Sequence, residues 1–219
     1  MITVKDVSNN EEVKTFLYIA ETQMRVLGYT EHSFRHVTLV SKTAGRILEQ
    51  LGYPEKEVEL AKIAGYLHDI GNAVNRNDHA HTGAIMAYHI LTKMGMDYMD
   101  AAEIMKAIGN HDERTGTAVS NISAALILAD KSDVHRSRVM NTDVASFDIH
   151  DRVNYAVEKS RIIINKEAKT ADLNLIIDTA ICPVMDYFEI FLDRMTMNRR
   201  AADFLGLQFQ LFINGSKLI

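Results

Sequence analysis

His36, the pair His68-Asp69, His81, His111 and Asp130 are the side chains in this sequence whose types and spacing could do chemistry. Most of them interrupt or end apolar, helix-like stretches. Imidazoles and carboxylates carried on separate helices into one core are the material of a metal site. His36 shares a helical side with Val40, Thr43 and Ile47. Alone it would read as a core histidine bonded to a backbone carbonyl; with the other members beside it, the metal reading wins. His68 and Asp69 stand about 100° apart around a helix, so one ion near the helix end can meet both. Asp130 closes the apolar run ALILAD, where a carboxylate is costly to bury unless a cation offsets it. His36, His68, Asp69 and Asp130 make a borderline-to-hard ligand set suited to Mn, Fe or Zn, with Mg possible.

His81, on a face with Ile85 and Tyr88, and His111, just past Gly109-Asn110, could hold a second ion with Asp69 bridging. Two ions about 3.5–4 Å apart would clamp the attacking and leaving oxygens of a phosphoryl transfer. With a single ion, His81 and His111 would instead donate hydrogen bonds to a phosphate. Arg76, Lys131 and Arg136 are cations placed to meet phosphate oxygens, Lys131 foremost, although ordinary solvated charge is the default reading for each. Asp112 and Glu113 could orient ligands or relay protons. His32, one turn before His36, is a competing ligand candidate, and the eleven methionines read as core filler.

The elements that must position these groups are mostly helical. Val37, Val40, Ala44, Ile47, Leu48 and Leu51 follow a three-four spacing, Gly52 ends that helix, and Pro54 opens the next, which carries Val58, Ala61, Ala64 and Leu67. Further helices are expected at 79–94, 97–109 and 118–134. After about residue 140 the pattern changes. Residues 161–165 and 172–177 read as two strands, Pro183 opens a helix, and Leu207, Phe209, Leu211 and Ile213 alternate as a strand. The expected division is a helical domain over 1–140 and an α+β extension with an antiparallel sheet over 141–219. That extension is assigned to completing a substrate pocket or to forming a homodimer.

Composition narrows the classes. Of 219 residues, 47% are hydrophobic and 24% charged, as in ordinary globular chains. Net charge of −5 speaks against general nucleic-acid binding. No apolar run approaches a membrane span, the N-terminal stretch is too polar for a signal peptide, and the lone Cys182 fits a reducing compartment. A cytoplasmic protein with neither nucleic-acid nor membrane partner is expected.

The phrases AGYLHDIGN, HAHTGA, AIGNHDE and LILADKSD resemble the motif regions of the HD superfamily of metal-dependent phosphohydrolases, over about residues 30 to 135. The resemblance implies a mainly α fold, an HD-type helical bundle. It also implies metal-ligand roles for His36, His68, Asp69 and Asp130 and, as in two-metal members, for His81 and His111. Two subfamily marks are absent. No Gly-Tyr-Pro follows Asn110-His111, unlike cyclic di-guanylate hydrolases, and no Glu-Asp pair follows His68-Asp69, unlike guanosine-tetraphosphate hydrolases. The spacing is nearer to small bacterial HD proteins, some of which cleave dinucleoside polyphosphates. The activity implied is hydrolysis of a phosphoester or phosphoanhydride in a nucleotide or small phosphorylated metabolite. Asp69 would orient the metal-activated water, Lys131 would offset charge on the phosphate, and Arg76, His81, His111 and Arg136 would touch substrate. A catalytically silent nucleotide-sensing module and an HD-type di-iron oxygenase are the competing classes.

Overall fold

Residues 2–31 and 34–219 are described by a computed structural model, and its helices begin where the sequence supplies caps. Thr3 and Asp6 form a capping box at α1 (Val4–Asn9), and the Asn10 side chain accepts from Glu12 N and Val13 N at the start of α2 (Glu11–Val26). Helix α3 (Phe34–Leu51) buries Val37, Val40, Ala44, Ile47 and Leu48, largely against α4 (Glu55–Leu67), which Pro54 opens. A 3-10 turn over Ile70–Ala73 leads to α5 (His79–Lys93), which packs on that turn and on α6 (Tyr98–Gly109). Asp97 caps α6, and Ser120 caps α7 (Asn121–Lys131). Every residue of α7 from Ile122 to Lys131 is buried. A helix buried on all sides belongs at a centre, and α3, α4, α6 and the C-terminal long helix all pack on it.

Helix α8 (Ile149–Ala156), capped by Asp148, runs straight into β1 (Val157–Asn165). Strand β1 pairs antiparallel with β2 (Thr170–Ile177), and β3 (Gln208–Ile213) pairs antiparallel with β4 (Ser216–Lys217). Between β2 and β3 the pairing is parallel, so the sheet is mixed where an antiparallel one was expected. The cause is α9 (Val184–Phe204), whose 21 residues return the chain to the starting end of β2. A crossover of that length permits parallel pairing, which a hairpin cannot. Helix α9 packs on α7, and a single apolar cluster reaches from Val7 through both helices to Ile213. The mainly α fold with a small C-terminal α+β segment is therefore observed. Among the described residues no helix is long and apolar enough to cross a membrane.

Two glycines let backbones meet where the candidate ligands lie. A Cβ on Gly65 would stand 2.7 Å from Ser41 Cα, so α4 rests directly on α3 and the end of α4 is brought beside His36. A Cβ on Gly71 would collide with the His79 carbonyl oxygen and lie 2.5 Å from Gly83 N. Both obstacles are backbone, which cannot swing aside. Gly71→Ala is expected to cost at least about 2 kcal/mol in urea unfolding, the upper range of overpacking penalties. A variant as stable as the parent would refute this close approach.

Candidate metal centre

Five chain segments deliver six side chains to one point. His36 sits in the first turn of α3, and His68 and Asp69 follow the last residue of α4. His79 is the first residue of α5, His111 follows the end of α6, and Asp130 is the penultimate residue of α7. All six are buried. His36 Nε2 and His68 Nε2 face each other at 3.2 Å, with Asp130 Oδ1 at 3.3 and 3.6 Å from them. Asp69 Oδ2 lies 3.6 Å from His36 Nε2 and 3.3 Å from His68 Nε2. Its other oxygen, Oδ1, lies 3.5 Å from His79 Nε2 and 4.0 Å from His111 Nε2, which are themselves 3.2 Å apart. One carboxylate thus stands between two histidine pairs.

The opposite ring nitrogens explain the aim. His68 Nδ1 is 2.9 Å from Gly65 O, His79 Nδ1 3.0 Å from Arg76 O, and His111 Nδ1 2.6 Å from Ile108 O. A carbonyl can only accept, so each Nδ1 carries the hydrogen, and in a neutral ring Nε2 is then an electron-pair donor. His36 Nδ1 lies 2.7 Å from Asp133 Oδ2, a carboxylate doing the same work. Burial works against the Asp133 charge, but the hydrogen bond from His36 and the nearby Arg138 hold its carboxyl well below the usual range. Imidazole nitrogens and carboxylate oxygens crowded within a few ångströms, with ring orientation fixed from behind, make a donor set that fits divalent metal. His36, His68 and Asp130 form one group whose donor atoms lie within 4.8 Å of one another, and His68, Asp69 and His111 form a second.

Electrostatics agree with that reading. Burial opposes charge on His68, yet the Asp69 and Asp130 carboxylates outweigh it and hold the ring up at about 10. The carboxylates call for positive charge at this point, be it a proton or a cation. His111 is pushed well below its ordinary value, first by burial and then by the neighbouring His68 and Lys131, which favours the neutral ring that a metal requires. Burial likewise lowers His79.

Cations and further carboxylates rim the cluster, with Asp112 Oδ2 3.9 Å from His79 Nδ1. Lys131 Nζ is 2.7 Å from Asp130 Oδ2 and 3.3 Å from Glu113 Oε1. Arg194, from α9, places Nε 2.7 Å from the same Glu113 oxygen. Burial would raise Glu113, but Lys131 and Arg194 bring it down to about 2. Arg76 Nη1 reaches Asn72 Oδ1 at 3.2 Å, His79 Nε2 at 3.3 Å and Asp69 Oδ1 at 3.8 Å.

Two expected positions are corrected. The His81 side chain is 58% exposed, with Nδ1 3.9 Å from Asp78, and His79 stands where His81 was expected. Residues two apart on a helix point about 200° apart, so only one of the pair can face inward. His79 shares its side with Gly83, Ala87 and Ile90, all buried, whereas Ile85 on the His81 side is exposed. That small-residue stripe was the signal available. Arg136 pairs with Glu158 Oε1 at 3.2 Å and stacks over Tyr155, which commits it to the junction of α8 and β1. His36, His68, Asp69, Asp130, His111, Lys131 and Arg76 are brought together; His32 lies outside the described residues. Arg194 had no local signal, because α9 meets the site only through tertiary packing.

Comparison with known proteins bears on the same residues. An uncharacterised protein of Methanocaldococcus jannaschii is 28% identical over 177 residues, covering 70% of this chain and 68% of the relative. Ribonuclease Y of Lawsonia intracellularis is 32% identical over 120 residues, covering 50% of this chain but only 20% of that protein. Among solved structures, a predicted HD superfamily hydrolase from an uncultured Thermotogales bacterium aligns with a TM-score of 0.44 at 27% identity, covering 61% of this chain and 75% of that one. The family model for the HD domain matches residues 33–155, which hold all six clustered side chains. That match spans more than half of the sequence, and the chain belongs to the HD domain family.

Proposed function

We propose that this protein is a divalent-metal-dependent phosphohydrolase that cleaves a phosphoester or phosphoanhydride bond in a nucleotide or other small phosphorylated metabolite. The observation that carries the reading is the placement of Asp69, one oxygen among the Nε2 atoms of His36 and His68 and the other among those of His79 and His111. His36, His68, Asp69 and Asp130 are assigned to one ion, and His79 and His111, sharing Asp69, to a second. A bound Mn, Fe, Zn or Mg supplies Lewis acidity, bringing the pKa of a water toward neutrality and offsetting charge on phosphoryl oxygens.

The chain's own groups do the positioning. Nδ1 bonds lock the rings, and Asp133 holds His36. Lys131, gripped by Asp130 and Glu113, adds positive charge beside the reacting centre, and Arg76 offers a guanidinium edge to non-bridging oxygens. Family membership supports hydrolysis, as does similarity to a relative named as a ribonuclease. The division at residue 140 belongs to this proposal, with residues 141–219 closing a substrate pocket through α8 and α9.

The test joins elemental analysis of protein purified without chelator to a metal-supplemented screen of phosphorylated metabolites. Bound transition metal is expected, together with phosphate release that stops on chelation and returns with metal. Chelation should also lower Tm, because an ion held at a hundred times its Kd stabilises by about 2.7 kcal/mol. Tight nucleotide binding without release, in fully metal-loaded protein, would overturn the hydrolase in favour of a sensing module. Substrate-dependent oxygen uptake would overturn it in favour of an oxygenase.

A further inference from the structure

A cavity of about 390 Å³ opens beside the metal centre, and its wall is shared with it: Arg76, Glu113 and Arg194 line the cavity. That volume lies within the range of small-ligand sites. Two features of its lining go beyond the phosphate contact already assigned to Arg76. The first is a pair of guanidinium groups, each backed by an aromatic ring. Arg76 lies over Tyr29 at 5.8 Å and Arg194 over Phe191 at 4.4 Å, and all four residues line the cavity. A ring behind a guanidinium holds its plane while leaving its edge for an anion and its open face for a flat partner. The second is a set of acceptors along α8 and its cap, where Asp148, Asp151 and Asn154 line the same space. Asp148 spends Oδ1 on capping Asp151 N at 2.8 Å, and Asn154 donates one of its two amide hydrogens to His150 O at 2.9 Å. Each of these two side chains therefore keeps an oxygen beyond its internal bond.

The cavity is thus dipolar. Its cationic part adjoins the metal centre, its acceptor part is α8, and flat surfaces border it. A ligand matching all three carries an anionic group, a planar body and several N–H or O–H donors. Inorganic phosphate lacks the last two, and a sugar phosphate lacks the planar body.

We infer that this cavity binds the nucleoside part of a nucleoside phosphate, with Arg194 and Arg76 flanking the phosphate and base and the α8 acceptors reading ribose hydroxyls or base amino groups. The inference rests on the proposed hydrolase reading for where the phosphate lies. It makes α8 and α9, both in the C-terminal third of the chain, the source of substrate selectivity, while the HD ligands remain indifferent to the nucleoside.

The test is calorimetric binding to the metal-loaded full chain, using nucleoside phosphonates whose carbon–phosphorus bond resists hydrolysis. Ribose 5-phosphonate and methylphosphonate serve as the truncated probes. A purine or pyrimidine nucleoside phosphonate is expected to bind at least about tenfold more tightly than either truncated probe, the gain of a few good contacts. Equal affinity for the nucleoside and ribose phosphonates, or a gain smaller than tenfold, overturns the inference. Arg194→Gln should weaken the nucleoside phosphonate. Because that change also strips Glu113 of a partner, Asp148→Asn provides a milder second variant. Asparagine caps a helix as well as aspartate does, so α8 is kept while an amide NH2 replaces the spare oxygen. Asp148→Asn should shrink the nucleoside advantage and leave methylphosphonate affinity as it was; an unchanged advantage counts against the α8 assignment. Selective binding without any turnover of true nucleotides would sink the hydrolase and keep the pocket. Turnover of simple aryl phosphates without selective binding would do the reverse.

Discussion

Asp69→Ala is expected to strip the protein of bound metal and reduce phosphate release by at least about a thousandfold, roughly 4 kcal/mol of transition-state stabilisation. The size follows from position. Among the described residues Asp69 is the one carboxylate within 4.0 Å of Nε2 atoms from both histidine pairs, so its removal weakens both candidate ions together, whereas Asp130 approaches the Nε2 atoms of His36 and His68. The variant should still fold, because the change removes a buried negative charge whose retention calls for a cation. Circular dichroism and urea unfolding establish that, and elemental analysis then reports metal per chain. Native metal content with full turnover in Asp69→Ala would refute the assignment outright.

The second large effect separates two histidines that the sequence places only two positions apart. His79→Ala is expected to lower metal content and to cut activity by about a hundredfold, the scale on which metal-site support is lost. His81→Ala should stay within about threefold of the parent, as an exposed side chain away from the cluster would. Equal damage from both, or damage from His81→Ala alone, would show that α5 presents the other face. Supplying excess metal provides a further discriminator. Partial rescue of His79→Ala is expected if the residue acts by holding an ion, and no rescue if it merely fills space.

Much of this arrangement was legible because metal ligands interrupt helical patterns in ways composition cannot hide. An aspartate ending ALILAD and a histidine on the Val40–Ile47 side are both costly to bury without a charged partner, and both side chains do lie beside His68-Asp69. The helices themselves followed from Pro54, Pro183 and three-four spacing, and the end of α3 from Gly52. The failures have physical causes. At HAHTGA the face of α5 depends on where the helix starts, and Ile85 and Tyr88 pointed to the wrong side: Ile85 is exposed and Tyr88 only partly buried. For β2 and β3 the alternation was visible, but strand direction depends on the length of the intervening helix and where it packs, which alternation does not encode. Arg136 shows that a basic run beside a site need not enter it: one glutamate, Glu158, and one ring, Tyr155, were enough to claim it. Arg194 illustrates the opposite case, a distant residue delivered by packing of α9 on α7.

The parallel pairing of β2 with β3 has a mechanical meaning for the pocket. Helix α9 leaves from one of these strands and is caught again by the other, so it is moored at both ends while its middle presents Phe191 and Arg194. A chain cut before Gln208 would lose the second mooring, though every metal-facing side chain would remain. Such a truncation should loosen hold of the substrate's organic half first and ion retention last, making β3 a distant tensioner of selectivity.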